Sequence, residues 1–149
     1  MQQKNLHIRN KKAAFDFHIE LKFTAGIQLT GTEVKSIRAL NANINDAFCI
    51  IEGGELYIKN MHISEFKQGS YNNHDPLRKR KLLVTKQELN KIIFRTKEKG
   101  FTIFPLDLHL SDRGLLKLDI ALGRGKREFD KRHDIKKKDI EREIKNAIG

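Results

Sequence analysis

The sequence predicts a mainly β protein, a small closed antiparallel barrel of about six strands followed by a basic C-terminal tail. Three features carry this expectation. Phe15, Phe17, Ile19, Leu21 and Phe23 alternate with Asp16, His18, Glu20 and Lys22, a period of two that places the apolar set on one face of a half-buried strand. Two later stretches read as hairpins. Only one long segment carries both helix-start and helix-stop signals.

In chain order, residues 1–12 form a basic N-terminal arm. After the first strand Ala25-Gly26 reads as a turn, Ile27 and Leu29 as the start of a second strand, and Gly31 as a bulge or close backbone approach. Residues 33–39 suit a short helix. Residues 48–51 and 56–58 flank Glu52-Gly53-Gly54-Glu55, where paired glycines supply the positive φ of a tight hairpin turn, and residues 60–63 extend the second strand of that hairpin. Residues 67–81, polar and containing Gly69 and Pro76, read as a long surface loop.

Thr85-Lys86-Gln87-Glu88 fits a capping box, so a helix starts there; Leu89, Ile92, Ile93 and Thr96 form its buried stripe and Gly100 ends it in the left-handed conformation. Phe104, Leu106, Leu108 and Leu110 alternate into the turn Ser111-Asp112-Arg113-Gly114, and Leu116, Leu118, Ile120 and Leu122 alternate out of it. The folded body thus spans residues 13–123, and Gly123 opens a tail, residues 124–149, in which apolar residues thin out. Ile140, Ile144 and Ile148 recur there every four residues. The helical pairs of Lys137 with Glu141 and Glu141 with Lys145 are worth only ~0.2–0.5 kcal/mol each. The tail is therefore expected to be disordered when free and helical when bound.

With 30 Lys and Arg against 19 Asp and Glu, the 149-residue chain carries a formal charge of +11, whose natural counterpart is a polyanion. The basic residues cluster, as in Arg78-Lys79-Arg80-Lys81 and Arg124-Gly125-Lys126-Arg127, and such blocks repel themselves unless a polyanion neutralises them. No apolar run approaches the ~20 residues of a membrane span, and the tail's narrow stripe lacks interfacial Trp or Phe, which favours nucleic acid over membrane. Met1-Gln2-Gln3-Lys4-Asn5 lacks the apolar core of a secretory signal, so a cytoplasmic protein is expected. Cys49 is the only cysteine, which excludes an internal disulfide and Cys-pair zinc motifs. His7, His18, His62, His74, His109 and His133 show no metal-ligand spacing, and no cofactor is expected. His74-Asp75 has the makings of a nuclease acid/base pair, but without clustered carboxylates it reads better as a structural turn before Pro76. The expected protein is not an enzyme.

Longer strings go further. Ala25-Gly26-Ile27, residues 29–39 (Leu-Thr-Gly-Thr-Glu-Val-Lys-Ser-Ile-Arg-Ala), Asn60-Met61-His62-Ile63-Ser64, residues 73–83 (Asn-His-Asp-Pro-Leu-Arg-Lys-Arg-Lys-Leu-Leu), Gly123-Arg124-Gly125-Lys126 and Asp130-Lys131-Arg132 together resemble the SsrA-binding protein family in order and spacing. The resemblance covers nearly the whole chain. It implies an oligonucleotide-binding-like (OB-like) six-stranded barrel with flanking helices that binds the tRNA-like domain of transfer-messenger RNA and delivers it to stalled ribosomes for trans-translation. The implied partners are that RNA, the small ribosomal subunit through its 16S rRNA and, through the RNA, elongation factor Tu and alanyl-tRNA synthetase. Aligned on the family, the RNA contacts are Glu33, Lys35, Arg38, Asn43, Leu83 and Lys117, with Arg78, Arg80, Lys81, Arg124 and Lys126 supplying charge; on its own residue type Leu83 reads either as such a contact or as plain core. Lys117 alternates with Leu116 and Leu118 and so faces outward. Thr24 stands where the family often carries an acidic residue. The tail is implied to occupy the decoding centre and the empty mRNA channel through Lys126, Arg127, Phe129, Asp130, Lys131, Arg132, Ile140 and Ile144, with Phe129 either stacking on a ribosomal base or packing on the barrel.

Overall fold

Strands dominate, as the alternation requires. The computed structural model describes residues 6–67, 73–98 and 100–126, together with Arg132, Ile135 and Ile140. In chain order the elements are β1 (His7–Arg9), α1 (Ala13–Asp16), β2 (Phe17–Ile27), α2 (Gly31–Arg38), β3 (Ala42–Asn43), β4 (Phe48–Glu52), β5 (Glu55–Lys59), β6 (His62–Ile63), β7 (Arg80–Leu83), α3 (Lys86–Thr96), β8 (Phe101–Leu110) and β9 (Leu116–Gly125). Seven strands make one antiparallel sheet in the order β1-β8-β4-β5-β7-β2-β9, β8 pairs in addition with β9, and β3 and β6 form a separate two-stranded ladder. The main core lies inside this arrangement, with Ile37, Leu56, Ile58, Ile92, Leu118 and Ile120 fully buried.

Both hairpins form where the turn chemistry puts them. Gly53 and Gly54 take φ of 56° and 76° between β4 and β5, and Gly114 takes 79° between β8 and β9. At Thr85 the side chain accepts from the Glu88 amide while the Glu88 carboxylate accepts from the Thr85 amide, so α3 has the expected capping box and buries Ile92. Gly100 does adopt φ 87°, but the helix is already over at Thr96 and the glycine turns the chain into β8.

Other expectations are corrected. Ala25-Gly26 is not a turn: β2 runs straight through it, because Gly26 is laddered on one side to Leu83 of β7 and on the other to Lys117 of β9. Pairing with two neighbours outweighs the conformational cost of a strand glycine. Phe15 belongs to α1 rather than the first strand, and Gly31 opens α2 rather than marking a bulge. The chain leaves β5 at Asn60, whose φ of 59° breaks the strand, and His62–Ile63 pairs with β3 instead. The segment 1–12 contributes β1, which pairs with β8, and buries Leu6 in the core.

The alternating runs do not each keep to one face. A register shift between Ile19 and Leu21 sends Leu21 and Phe23 to the main core, while Phe17 and Ile19 pack with Ala13, Phe104 and Ala121 in a second, smaller cluster. A matching shift between Pro105 and Asp107 puts Phe104 and Leu106 in the smaller cluster and Leu108 in the main one. Such bulges add a residue to one strand and so reverse which face the following side chains occupy. Phe17 and Phe104 stack there with ring centroids 4.1 Å apart. No helix among the described residues is long and apolar enough to cross a membrane.

Candidate nucleic-acid interface

The site begins with a row of three residues. Leu83 of β7, Gly26 of β2 and Lys117 of β9 are direct neighbours in register, so all three project to one face. Strands lie about 4.8 Å apart, which sets the Leu83 and Lys117 backbones about 10 Å apart with only a glycine between them. A groove of about 390 Å³ follows from that gap, with Arg38 of α2 on its wall and Leu115 and Leu116 at its end. Leu83 is 47% exposed and Leu115 57%, so apolar surface and cationic side chains share the opening. Lys35 lies on the same helix as Arg38, exposed, with its ammonium 5.4 Å from the centre of the Phe66 ring.

The placement of α2 rests on a buried ionic cluster. Thr30 caps the helix by accepting from the Glu33 amide, and Glu33 Oε1 accepts from the Thr30 amide at 2.8 Å. The same carboxylate accepts from Arg78 Nη2 at 2.7 Å and from Arg80 Nε. Arg80 also donates to the Met61 carbonyl at 2.6 Å and the Pro76 carbonyl at 3.2 Å. Glu33 and Arg80 are both 0% exposed. Burial alone raises a carboxyl pKa, but the hydrogen bonds from Arg78, the Thr30 backbone and Arg80, with the charge of Arg80, hold Glu33 down at about 2. Beside them, buried His74 must donate from Nε2 to the Ile63 carbonyl at 2.8 Å, since a carbonyl only accepts, and its Nδ1 meets the Thr32 hydroxyl at 2.9 Å. Asn73 brackets the loop by donating to the Phe66 carbonyl and accepting from the Phe66 amide.

These contacts correct part of the expected site. Glu33 and Arg80 have no surface to offer an RNA; they fix α2 against the basic loop. The basic block 78–81, whose Arg80 and Lys81 lie in β7 laddered to β5 and not in the expected surface loop, does not repel itself either. Arg78 and Arg80 share Glu33, Lys79 pairs with Glu52, and Lys81 pairs with Glu55. His74-Asp75 is a structural turn, with Asp75 Oδ1 accepting from the Leu77 amide at 3.0 Å.

Of the other expected residues, Arg38, Leu83 and Lys117 come together in the groove, while Lys35, on the same helix as Arg38, is not among its lining and lies over Phe66. Asn43, exposed on β3, spends its side-chain oxygen on the Asn45 amide at 2.8 Å. Arg124 lies seven residues along β9 from Lys117, about 23 Å away at the usual strand rise, over the Phe101 ring and 3.4 Å from Glu98. Lys126 donates to the Ala14 carbonyl at 2.9 Å. Neither lines the groove. Arg132 and Ile140 are exposed. Arg127, Phe129, Asp130, Lys131 and Ile144 fall outside the described residues, and so does the expectation of a tail that orders on binding. Sequence reasoning missed Gly26 and Leu115 as groove residues. Only the register of β2 against two partners reveals the first, and only the exposure of a Leu beside a turn reveals the second.

Fold and site define a basic, mainly β protein with a cationic, partly apolar groove suited to a nucleic acid. A family model described as "SmpB protein" matches residues 7–149. The chain belongs to the SmpB family of SsrA-binding proteins. It is 51% identical to an SsrA-binding protein of Parabacteroides distasonis over 144 residues, covering 97% of this chain and 94% of that one. It is also 51% identical to that of Bacillus subtilis over 140 residues, covering 94% and 89%. A solved chain from a structure described as "tmRNA-SmpB: a journey to the center of the bacterial ribosome" superposes with a TM-score of 0.69 at 40% identity, covering 87% of this chain and 94% of that one.

Proposed function

We propose that the chain is a cytoplasmic RNA-binding adaptor without enzymatic activity. It holds the tRNA-like domain of transfer-messenger RNA in the groove between Leu83 and Lys117 and brings it to stalled ribosomes for trans-translation. The observation that carries this is the Leu83-Gly26-Lys117 row, in which two strands pinch a glycine and leave cationic and apolar side chains facing one opening, in a member of the SsrA-binding family. Shape-selective RNA recognition uses such mixed surfaces, with phosphate contacts from Arg38 and Lys117 and packing of ribose or base on Leu83 and Leu115.

The scaffold is read as a closed six-stranded OB-like barrel. Supporting this reading, the pairings β8 with β4, β4 with β5, β5 with β7, β7 with β2, β2 with β9 and β9 with β8 return to their starting strand. Residues 1–12 are then an arm whose end is tied to that barrel, and the segment after Lys126, rather than from 124 as the composition suggests, is the tail that occupies the decoding centre and the empty mRNA channel.

Truncation tests the division of labour. The cut belongs after Lys126 rather than after Gly123, because β9 continues to Gly125 and the Lys126 amide donates to the Asp16 carbonyl at 2.8 Å. The truncated chain should keep its affinity for the tRNA-like RNA and lose rescue of stalled ribosomes in a reconstituted translation assay. Rescue without the tail, or no preference for tRNA-like over unstructured RNA, overturns the reading.

A further inference from the structure

Two residues along the same strands from the groove, Asp119 of β9 stands directly opposite Asp107 of β8. Like charges in that relation destabilise a sheet unless a cation lies between them. His109 closes the group: its Nε2 is 3.0 Å from Asp119 Oδ1, and the ligand-type atoms of Asp107, His109 and Asp119 all lie within 4.8 Å of one another. His7, the register partner of His109 on β1, brings Nδ1 to 2.8 Å from Asp107 Oδ2. The other oxygen of Asp107, Oδ1, is buried and has no hydrogen-bond partner among the described residues, so the lone pairs of that one oxygen meet no donor. Thr24 donates to Asp119 Oδ1 at 2.8 Å and orients that carboxylate from the outside.

We propose that Asp107, His109 and Asp119, with His7 as a fourth donor, form a binding site for a borderline divalent transition metal, zinc above all. The chemistry follows from the donors. Two carboxylates and two imidazoles suit zinc, cobalt or nickel, whereas magnesium favours oxygen alone and keeps its waters. Donors around a tetrahedral zinc lie about 3.4 Å apart, so the spacing of Asp107, His109 and Asp119 needs side-chain shifts of about 1 Å and no movement of the strands, whereas His7, in contact with Asp107 but outside that group, would have to swing further to join it. With side-chain exposures of 19% for Asp107, 21% for His109 and 35% for Asp119, the group is reachable from solvent yet partly enclosed. Arg9 and Lys117 share this face in register with Asp107 and His109, and their charge opposes a metal. The competing occupant is a proton on His109: burial disfavours a charged ring, but the hydrogen bond and charge of Asp119 outweigh it and raise the pKa. A metal would exchange for that proton and also satisfy Asp107 Oδ1, which the proton leaves alone.

The test uses the untagged full chain, titrated with cobalt(II) at neutral pH and read by its visible absorption, then by displacement with zinc and with magnesium. A single equivalent of cobalt should bind with intense tetrahedral bands, zinc should displace it, and magnesium should not. His109→Gln and Asp119→Asn should each weaken binding by at least about tenfold. His7→Gln, at the sheet edge, should weaken it less. His62→Gln, remote from the group, should leave it unchanged. Zinc should raise the melting temperature of the parent chain and of His62→Gln but not of His109→Gln, a comparison that stands even where a variant is less stable. No saturable binding, or binding that survives both His109→Gln and Asp119→Asn, refutes the site and leaves the two carboxylates to the neighbouring histidines, Arg9 and Lys117.

Discussion

Replacing Glu33 by glutamine isolates what the buried ionic cluster does. Glutamine has nearly the same shape and still accepts through one oxygen, but Arg80, fully buried, and Arg78 lose their only shared carboxylate. Removing one member of a buried ion pair costs about 3–5 kcal/mol, because the remaining charge is left in low dielectric without a partner. The titration argument agrees. Lowering the carboxyl from its ordinary 4.5 to about 2 corresponds to about 3 kcal/mol at 1.36 kcal/mol per pH unit. The sign is fixed by linkage: a carboxyl depressed in the folded state contributes its stability in full above about 4.5 and loses it as the pH falls towards about 2. Urea unfolding followed by far-ultraviolet circular dichroism should show the midpoint of Glu33→Gln lower by about 1–3 M at neutral pH, given slopes of ~1–3 kcal/mol/M. That gap should narrow between pH 4.5 and pH 2, where the parent chain sheds the same contribution. RNA affinity measured well below the urea transition should fall far less than stability does. If instead the variant were as stable as its parent and lost RNA binding, Glu33 would be a direct RNA contact, and the pairing with Arg78 and Arg80 would not be the reason α2 sits where it does.

Three further substitutions separate the groove from its surroundings. Gly26→Val should fill the gap between Leu83 and Lys117 and weaken RNA binding at least about tenfold, while changing stability by no more than the ~1 kcal/mol spanned by strand propensities; an unchanged affinity in a filter-binding assay removes the groove from the interface. Lys117→Ala should flatten the log–log salt dependence of RNA binding by about 0.7–0.9, the share of one phosphate contact, whereas Lys79→Ala, already paired with Glu52, should leave the slope as it was. Thr85→Ala removes the capping box of α3 and should cost about 1 kcal/mol in urea unfolding with RNA affinity intact, since that helix end does not reach the groove.

Local rules located the elements whose chemistry is local. The Gly53-Gly54 turn, the Thr85 capping box and the outward direction of Lys117 were all legible, because each depends on residues within a few positions of one another. The capping box at Thr30 obeys the same rule, with Glu33 three residues on, and α2 could have been started correctly from it. What sequence could not supply was pairing at long range. Ala25-Gly26 has the composition of a turn and the environment of a central strand, and only its two ladder partners, 57 and 91 positions away, decide between them. The bulges after Ile19 and Pro105 are hidden for a related reason: an apolar residue on either side of a face reversal is still apolar, so the alternation reads as unbroken while its target changes from one core to the other.

Charge shows the same limit with a functional consequence. The block Arg78-Lys79-Arg80-Lys81 has the highest cation density before the tail, which made it the natural place for a polyanion. Folding brings Glu33, Glu52 and Glu55 to it from α2 and the β4–β5 hairpin, so every cation of the block is paired with a carboxylate. Among the described residues, no salt bridge joins Lys35, Arg38 or Lys117 to a carboxylate, although each is isolated in sequence. An RNA phosphate gains most from cations that have no carboxylate to give up, because displacing an existing ion pair returns only the difference between two interactions. On the proposed reading the electrostatic attraction belongs to the groove, where Arg38 and Lys117 converge, and the dense basic string serves as the support that holds α2 and Arg38 over it.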